Sequence, residues 1–242
     1  MMGNDTMTID VYEFYQRLCH DGNVLVAGQA GSGKSVILNG IIVTAMANGN
    51  HMLLLDPKGG AEFSIYKDCI EVDGFAKDVE EFAPLLKRAV TLMNERHADM
   101  ERRHIRTTDA PEYYVIIDEY GDMMSDAKKE CLPLLLKLAR KGRAARVRLV
   151  LATQVPSRQV VTADISANMH TIVALHTLSA LDSRVIIRAN GAEKLPVGEA
   201  MVQHRNSFEI THEAVPMYDD EFLEKVALWR TPPSKRWKEV IA

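Results

Sequence analysis

Residues 24–46 read VLVAGQAGSGKSVILNGIIVTAM, and the order of residue types within them sets the architecture of the chain. Val24-Leu25-Val26-Ala27 is an apolar run of the length of a buried strand. It breaks at Gly28, and Gly31 and Gly33 follow before Lys34-Ser35. Val36, Ile37, Gly40, Ile41, Thr44 and Ala45 then recur at helical spacing. The string Gly28, Gln29, Ala30, Gly31, Ser32, Gly33, Lys34, Ser35 fits G-x-x-x-x-G-K-[ST], placed between a strand and a helix as that motif requires. Glycines let the backbone bend tightly enough for successive N–H groups to face a phosphate chain. The positive end of the following helix adds to the attraction. Lys34 is expected to reach the β- and γ-phosphates and the Ser35 hydroxyl to ligate Mg²⁺. These residues predict a nucleoside-triphosphate site that also holds Mg²⁺.

Further along, polar groups fall at the ends of apolar runs. Met52-Leu53-Leu54-Leu55 leads into Asp56-Pro57-Lys58-Gly59-Gly60. That segment is either a plain turn or part of a ligand site, since α/β sheets bind ligands at the carboxyl ends of their strands. Tyr113-Tyr114-Val115-Ile116-Ile117 is β-branched and aromatic, hence a central strand, and Asp118-Glu119 closes it. In company with the P-loop this is a Walker B element. Asp118 is expected to hold Mg²⁺ through water, and Glu119 to orient or deprotonate the attacking water. Residues 149–153 form another buried strand that ends on Gln154, whose amide is placed to sense a γ-phosphate.

The remaining segments supply the scaffold. Residues 1–8 read as a disordered start and residues 9–20 as a short amphipathic helix. Residues 76–105 carry apolar positions three and four apart, a long helix with a kink expected near Pro84. Residues 128–143 are helical and run into the most basic segment, Arg140 to Arg148. Residues 171–175 form a strand and 179–188 a helix. Residues 199–202 and 206–211 form a hairpin, and a last helix runs from Asp219 through Trp229. Alternating strands and helices specify an α/β fold with a mainly parallel central sheet flanked by helices on both faces. The expected organisation is a lead-in helix over 1–20, one ATPase domain over 21–230 and a tail over 231–242.

Composition limits the alternatives. The 242 residues carry a formal net charge of −4, which argues against a generally basic nucleic-acid coat but leaves room for a local basic surface. Cys19, Cys69 and Cys131 are scattered, without zinc-ligand spacing, which suits a reducing compartment. No apolar run approaches the roughly 20 residues of a membrane span, and no signal pattern opens the chain. A cytoplasmic location is expected, with any attachment to a membrane made through other chains.

Four stretches in order, VLVAGQAGSGKSVILN, LLLDPKGGAEFSIY, VIIDEYGDMM and KLARKGRAARVRLVLATQVPS, resemble the motor domain of the FtsK/SpoIIIE family, within the FtsK–HerA group of ring-forming ATPases. ALDSRVIIRANGAEKL and the acidic start of the last helix extend the resemblance over residues 20–230. The resemblance implies a RecA-like P-loop NTPase core that assembles into a ring, a hexamer, around double-stranded DNA. It implies ATP hydrolysis coupled to movement of that DNA in conjugative transfer, segregation or packaging. ATP then lies between subunits and a neighbour supplies an arginine finger, with Arg143 the first candidate and Arg184 the second. This chain departs from the family pattern in having Arg146 and Arg148 within KGRAARVR, Ser166 where a pore-side lysine often stands, and Val155 after ATQ. Two other functions remain open: a type VII-like secretion ATPase acting on protein, and a nucleotide-gated assembly module with little turnover.

Overall fold

The computed structural model describes residues 4–20, 22–154, 156–205 and 209–228. Within them Asn4–His20 forms helix α1, Val24–Ala27 strand β1, Lys34–Ala47 α2, His51–Leu55 β2 and Val72–Ala76 β3. Val79–Arg102 is α3, Tyr113–Ile117 β4, Tyr120–Asp126 α4, Lys128–Lys141 α5 and Val147–Thr153 β5. Ala163–Ser166 is α6, Thr171–Ala174 β6, Ala180–Ile187 α7, Glu199–His204 β7, Ile210–Ala214 β8 and Asp220–Ala227 α8.

The strands form one sheet in the order β3-β2-β4-β5-β1-β6-β7-β8. The pairs from β3 through β6 are parallel, and β7 and β8 close the sheet antiparallel. Val24 pairs with Val150 on one side and Thr171 on the other, so the P-loop strand lies well inside the sheet. Leu25 and Ala27 face a core shared with α3, α4, α5 and α7. Val24 and Val26 face a second core shared with α1, α2 and α8. Covering both faces is why β1 and β4 read as unbroken apolar runs rather than alternating ones. The architecture is the mainly parallel α/β sheet, helices on both faces, that the sequence predicts.

Differences from the sequence expectation are local. Helix α1 starts at Asn4, inside the segment read as a disordered start. Once a helix is nucleated, each added residue contributes a hydrogen bond, so it extends beyond the apolar stripe that reveals it. Strand β3 and helix α4 were not anticipated. Strand β3, sequence VDGFA, is an edge strand with only Ala76 fully buried, so it lacks the pattern of a core strand. Helix α3 begins later than periodicity suggests, because Asp78 and Glu81 form a capping box there. The tail, Trp229 and residues 206–208 of the expected hairpin lie outside the described residues.

Two contacts fix the P-loop strand and helix. Asn23, 1% exposed, donates its side-chain amide to Ala139 O (3.0 Å) and Asn168 O (2.9 Å) and accepts from Leu149 N (3.0 Å). This side chain joins β1, α5 and β5 at their shared end. On the other face the fully buried Tyr15 of α1 lies on α2 at Gly40, where a Cβ would come within 2.0 Å of the tyrosine Cζ. Its hydroxyl donates to Pro216 O (2.6 Å), and its ring stacks on Tyr218, which in turn stacks on Phe222 of α8. Gly40→Ala should therefore push α1 off α2 and cost about 1–3 kcal/mol, a fall in melting temperature of about 2–4 °C per kcal/mol. In a Tyr15→Ala background the same change should cost almost nothing. Thermal denaturation of the four proteins checks this double-mutant cycle.

Candidate active site

The polar groups that end β1, β2, β4 and β5 meet at the carboxyl edge of the sheet. The P-loop is anchored from both sides, Gly28 N donating to Thr153 O (3.3 Å) and Gln29 N to His176 O (2.9 Å). Gly33 has φ of 104°, a left-handed conformation that favours glycine, and it turns the chain into α2. No side chain caps the start of α2 and no acidic residue lies in its first turn. The N–H groups of that turn have no intrahelical acceptors and are available to an anion. Lys34, the first residue of the helix, is buried and folds back to donate to Gly28 O (2.9 Å) and Gln29 O (2.8 Å). Burial lowers its pKa, against the pull of Glu119.

Asp118 and Glu119 are 1% and 2% exposed. Glu119 Oε1 accepts from Thr153 Oγ1 (2.8 Å) and Gln154 N (3.0 Å), so the end of β5 holds the carboxylate at the end of β4. Asp118 N donates to Leu55 O (3.1 Å), and burial pushes its carboxyl up to about 6, with Lys58 pulling it back. Lys58 Nζ lies 3.3 Å from Asp118 Oδ2 and 3.6 Å from Glu119 Oε2. Burial opposes its charge, but the two carboxylates outweigh it and its pKa rises. The lysine is aimed by Asp56, fully buried, whose carboxylate accepts from Lys58 N (3.2 Å), Glu62 N (2.8 Å) and Phe63 N (3.1 Å).

The sequence thus locates Gly28 to Ser35, Asp118, Glu119 and Gln154, and the structure brings them together. Gln154 contributes its backbone N–H to Glu119, while its side chain is half-buried. Arg143 is not part of this cluster. It lies in the turn between α5 and β5, at the amino ends of the strands, and the seven residues of β5 span roughly 20 Å. Arg143 also lines a cleft of about 1600 Å³ at that opposite edge. Arg184 is exposed on α7 and donates to Asn190 Oδ1 (2.7 Å). Sequence reasoning left Lys58 undecided and gave Thr153 no role. The position of Asp-Pro-Lys at a strand end was the available signal, and Thr153 offered none.

The donor set fits a magnesium–triphosphate. Uncapped amides and the Lys34 ammonium gather at the P-loop, and Asp118 and Ser35 supply hard oxygens. The buried Ser32 Oγ has no hydrogen-bond partner and Asp118 Oδ2 has only Lys58 Nζ beside it, so both oxygens keep capacity for groups that are not protein.

The family model FtsK/SpoIIIE family matches residues 1–114. The DNA translocase FtsK of Lactococcus lactis subsp. cremoris (strain MG1363) is 34% identical over 197 residues, covering 72% of this chain and 26% of the relative. That of Bacillus anthracis is 32% identical over 197 residues, covering 72% of this chain and 25% of the relative. The chain belongs to the FtsK/SpoIIIE family. It spans about a quarter of the length of these relatives. Among solved structures, the conjugation coupling protein TcpA, in its monomer form with ATPγS, has a TM-score of 0.77 at 22% identity, covering 85% of this chain and 64% of that one. The cytoplasmic domain of the Thermomonospora curvata type VII secretion ATPase EccC has a TM-score of 0.70 at 24% identity, covering 85% and 27%. The genome packaging NTPase of Sulfolobus turreted icosahedral virus 2, with ATPγS, has a TM-score of 0.57 at 17% identity, covering 81% and 98%. These likenesses establish the P-loop ATPase fold.

Arg146 and Arg148, the departures from the family pattern, are tied into the chain. Arg146 has φ of 51°, left-handed, where the family pattern has glycine, and its guanidinium donates to Ala110 O (3.2 Å). Arg148 is buried and donates to Glu112 Oε1 (2.8 Å).

Thr153→Val keeps the shape of the β5 end but removes the hydroxyl that Glu119 accepts from. It should cost about 1–3 kcal/mol in urea unfolding, and Thr153→Ser should stay close to the unaltered protein.

Proposed function

We propose that the chain is the ATP-hydrolysing part of a ring motor that moves double-stranded DNA. The observation behind this is the convergence of Lys34, Asp118, Glu119 and Lys58 at one sheet edge, with the candidate finger Arg143 at the other. In this scheme the P-loop amides from Gly28 to Ser35 bind the phosphates of ATP and Lys34 reaches the β- and γ-phosphates. Ser35 and Asp118 hold Mg²⁺, which supplies charge stabilisation to the transferring phosphoryl group. Glu119, held rigidly by Thr153 and Gln154, orients the attacking water and takes its proton. The Gln154 side chain senses the γ-phosphate.

Arg143 then acts on the nucleotide of a neighbouring copy. A guanidinium roughly 20 Å along the sheet from its own P-loop cannot reach its own nucleotide, and a head-to-tail ring brings it to the next one. Arg184, already bonded to Asn190, is the second candidate. A hexamer is the ring size proposed. The relatives named DNA translocase support DNA as the cargo. Arg146 and Arg148, committed to contacts inside the chain, leave the DNA grip to other groups. Among the described residues no helix is long and apolar enough to cross a membrane. We place the motor in the cytoplasm, at the inner face of a membrane where partner chains attach it.

Duplex DNA should stimulate ATP hydrolysis, and its binding should weaken steeply between about 50 and 200 mM salt, as displacement of counterions from phosphates requires. Phosphate release measured across a salt series, with Glu119→Gln as the inactive control, checks this. Hydrolysis indifferent to duplex DNA, with no DNA binding at low salt, removes DNA as the cargo and leaves a motor for protein.

A further inference from the structure

Lys58 is neither part of the P-loop nor of the Walker B pair, yet its ammonium lies within 4 Å of both carboxylates. Apart from Lys58 Nζ at 3.3 Å, Asp118 Oδ2 has no hydrogen-bond partner among the described residues. The loop carrying Lys58 is wrapped around the buried Asp56 carboxylate, which accepts three backbone N–H groups and so fixes the base of the lysine. The side chain beyond that base is about a third exposed (31%), on a flexible four-carbon stem. The anchor is rigid and the tip is free to move.

We propose that Lys58 is a resident counter-ion of the Asp118–Glu119 pair, holding it in place while the site is empty and yielding to Mg²⁺ when the nucleotide arrives. The inference rests on the magnesium–ATP assignment above and adds a positioning residue to it. Two adjacent carboxylates with almost no solvent repel each other and lose hydration, so an opposite charge within 4 Å is needed to keep both ionised and oriented. A metal held at Asp118 would bring two further positive charges to this carboxylate, and an ammonium 3.3 Å from its Oδ2 would then face repulsion and move off. Lys58 therefore opposes metal uptake while preparing the site for it. The exchange of one cation for another withdraws the ammonium from Glu119 Oε2 and leaves the carboxylate held by Thr153 and Gln154, whose N–H lies 3.0 and 3.1 Å from its two oxygens.

The test is a Mg²⁺ titration of the protein saturated with a non-hydrolysable ATP analogue, followed by calorimetry. Lys58→Met should bind Mg²⁺ about tenfold more tightly than the unaltered protein, because no resident cation has to leave. Lys58→Arg, which keeps the charge, should stay within about twofold of it. A lysine that merely supports the loop predicts Mg²⁺ affinity unchanged or weakened in Lys58→Met, and either result overturns the proposal. Lys58→Gln repeats the measurement with a side chain that retains hydrogen bonding, should Lys58→Met fold poorly. Binding of the analogue to the unaltered protein with and without Mg²⁺ comes first. Absence of any binding there refutes the nucleotide assignment and the proposal with it, whereas metal-enhanced binding followed by no gain in the variants refutes the role of Lys58 alone.

Discussion

Asp118 and Glu119 are two neighbouring carboxylates with almost no access to solvent, and the carboxyl edge of the sheet is arranged around them. Burying one unpaired carboxylate is costly and burying two side by side is worse. The chain compensates with groups drawn from three strand ends. Strand β5 gives Thr153 and Gln154 to Glu119, the loop after β2 gives Lys58 to both, and β1 brings the P-loop and Lys34 alongside. Each of these groups depends on strand order. Strands β2, β4, β5 and β1 are consecutive neighbours in space although the chain visits them in a different order, which is what gathers their ends into one site.

The same topology separates two kinds of chemistry. Anion-seeking amides, the lysines and the carboxylate pair lie at the carboxyl edge. The basic turn that follows α5 lies at the amino edge, beside the large cleft lined by Arg140, Lys141 and Arg143. Strand length alone, about 3.3 Å per residue, keeps the two apart. In the proposed ring, head-to-tail packing of copies would bring one edge against the other.

Local signals in the sequence were sufficient for the P-loop and the Walker B pair, because each is a short string whose spacing determines its own geometry. The parallel sheet was legible too, from unbroken apolar runs that need cover on both faces. What stayed hidden depends on distant pairing. Thr153 and Glu119 are 34 residues apart and become partners only once β4 and β5 are adjacent. Lys58 reads equally as a turn residue or as part of a ligand site until the loop after β2 is placed beside β4. Strand β3 escaped notice because an edge strand containing Asp73 and Gly74 needs no hydrophobic alternation. The basic run likewise gave no sign that Arg146 bonds the Ala110 carbonyl and Arg148 pairs with Glu112, since both partners lie 36 residues upstream.

The central claim is that each nucleotide site is finished by a second copy of the chain. Mixing Lys34→Ala subunits with Arg143→Ala subunits tests it most directly, since each population alone has one half of every site damaged. The account predicts near-zero ATP hydrolysis for either variant alone and partial recovery in mixtures, greatest near equal proportions, where intact P-loops meet intact arginines. Absence of recovery at every ratio, with both variants still able to assemble, would contradict it and make Arg143 a structural residue of its own subunit.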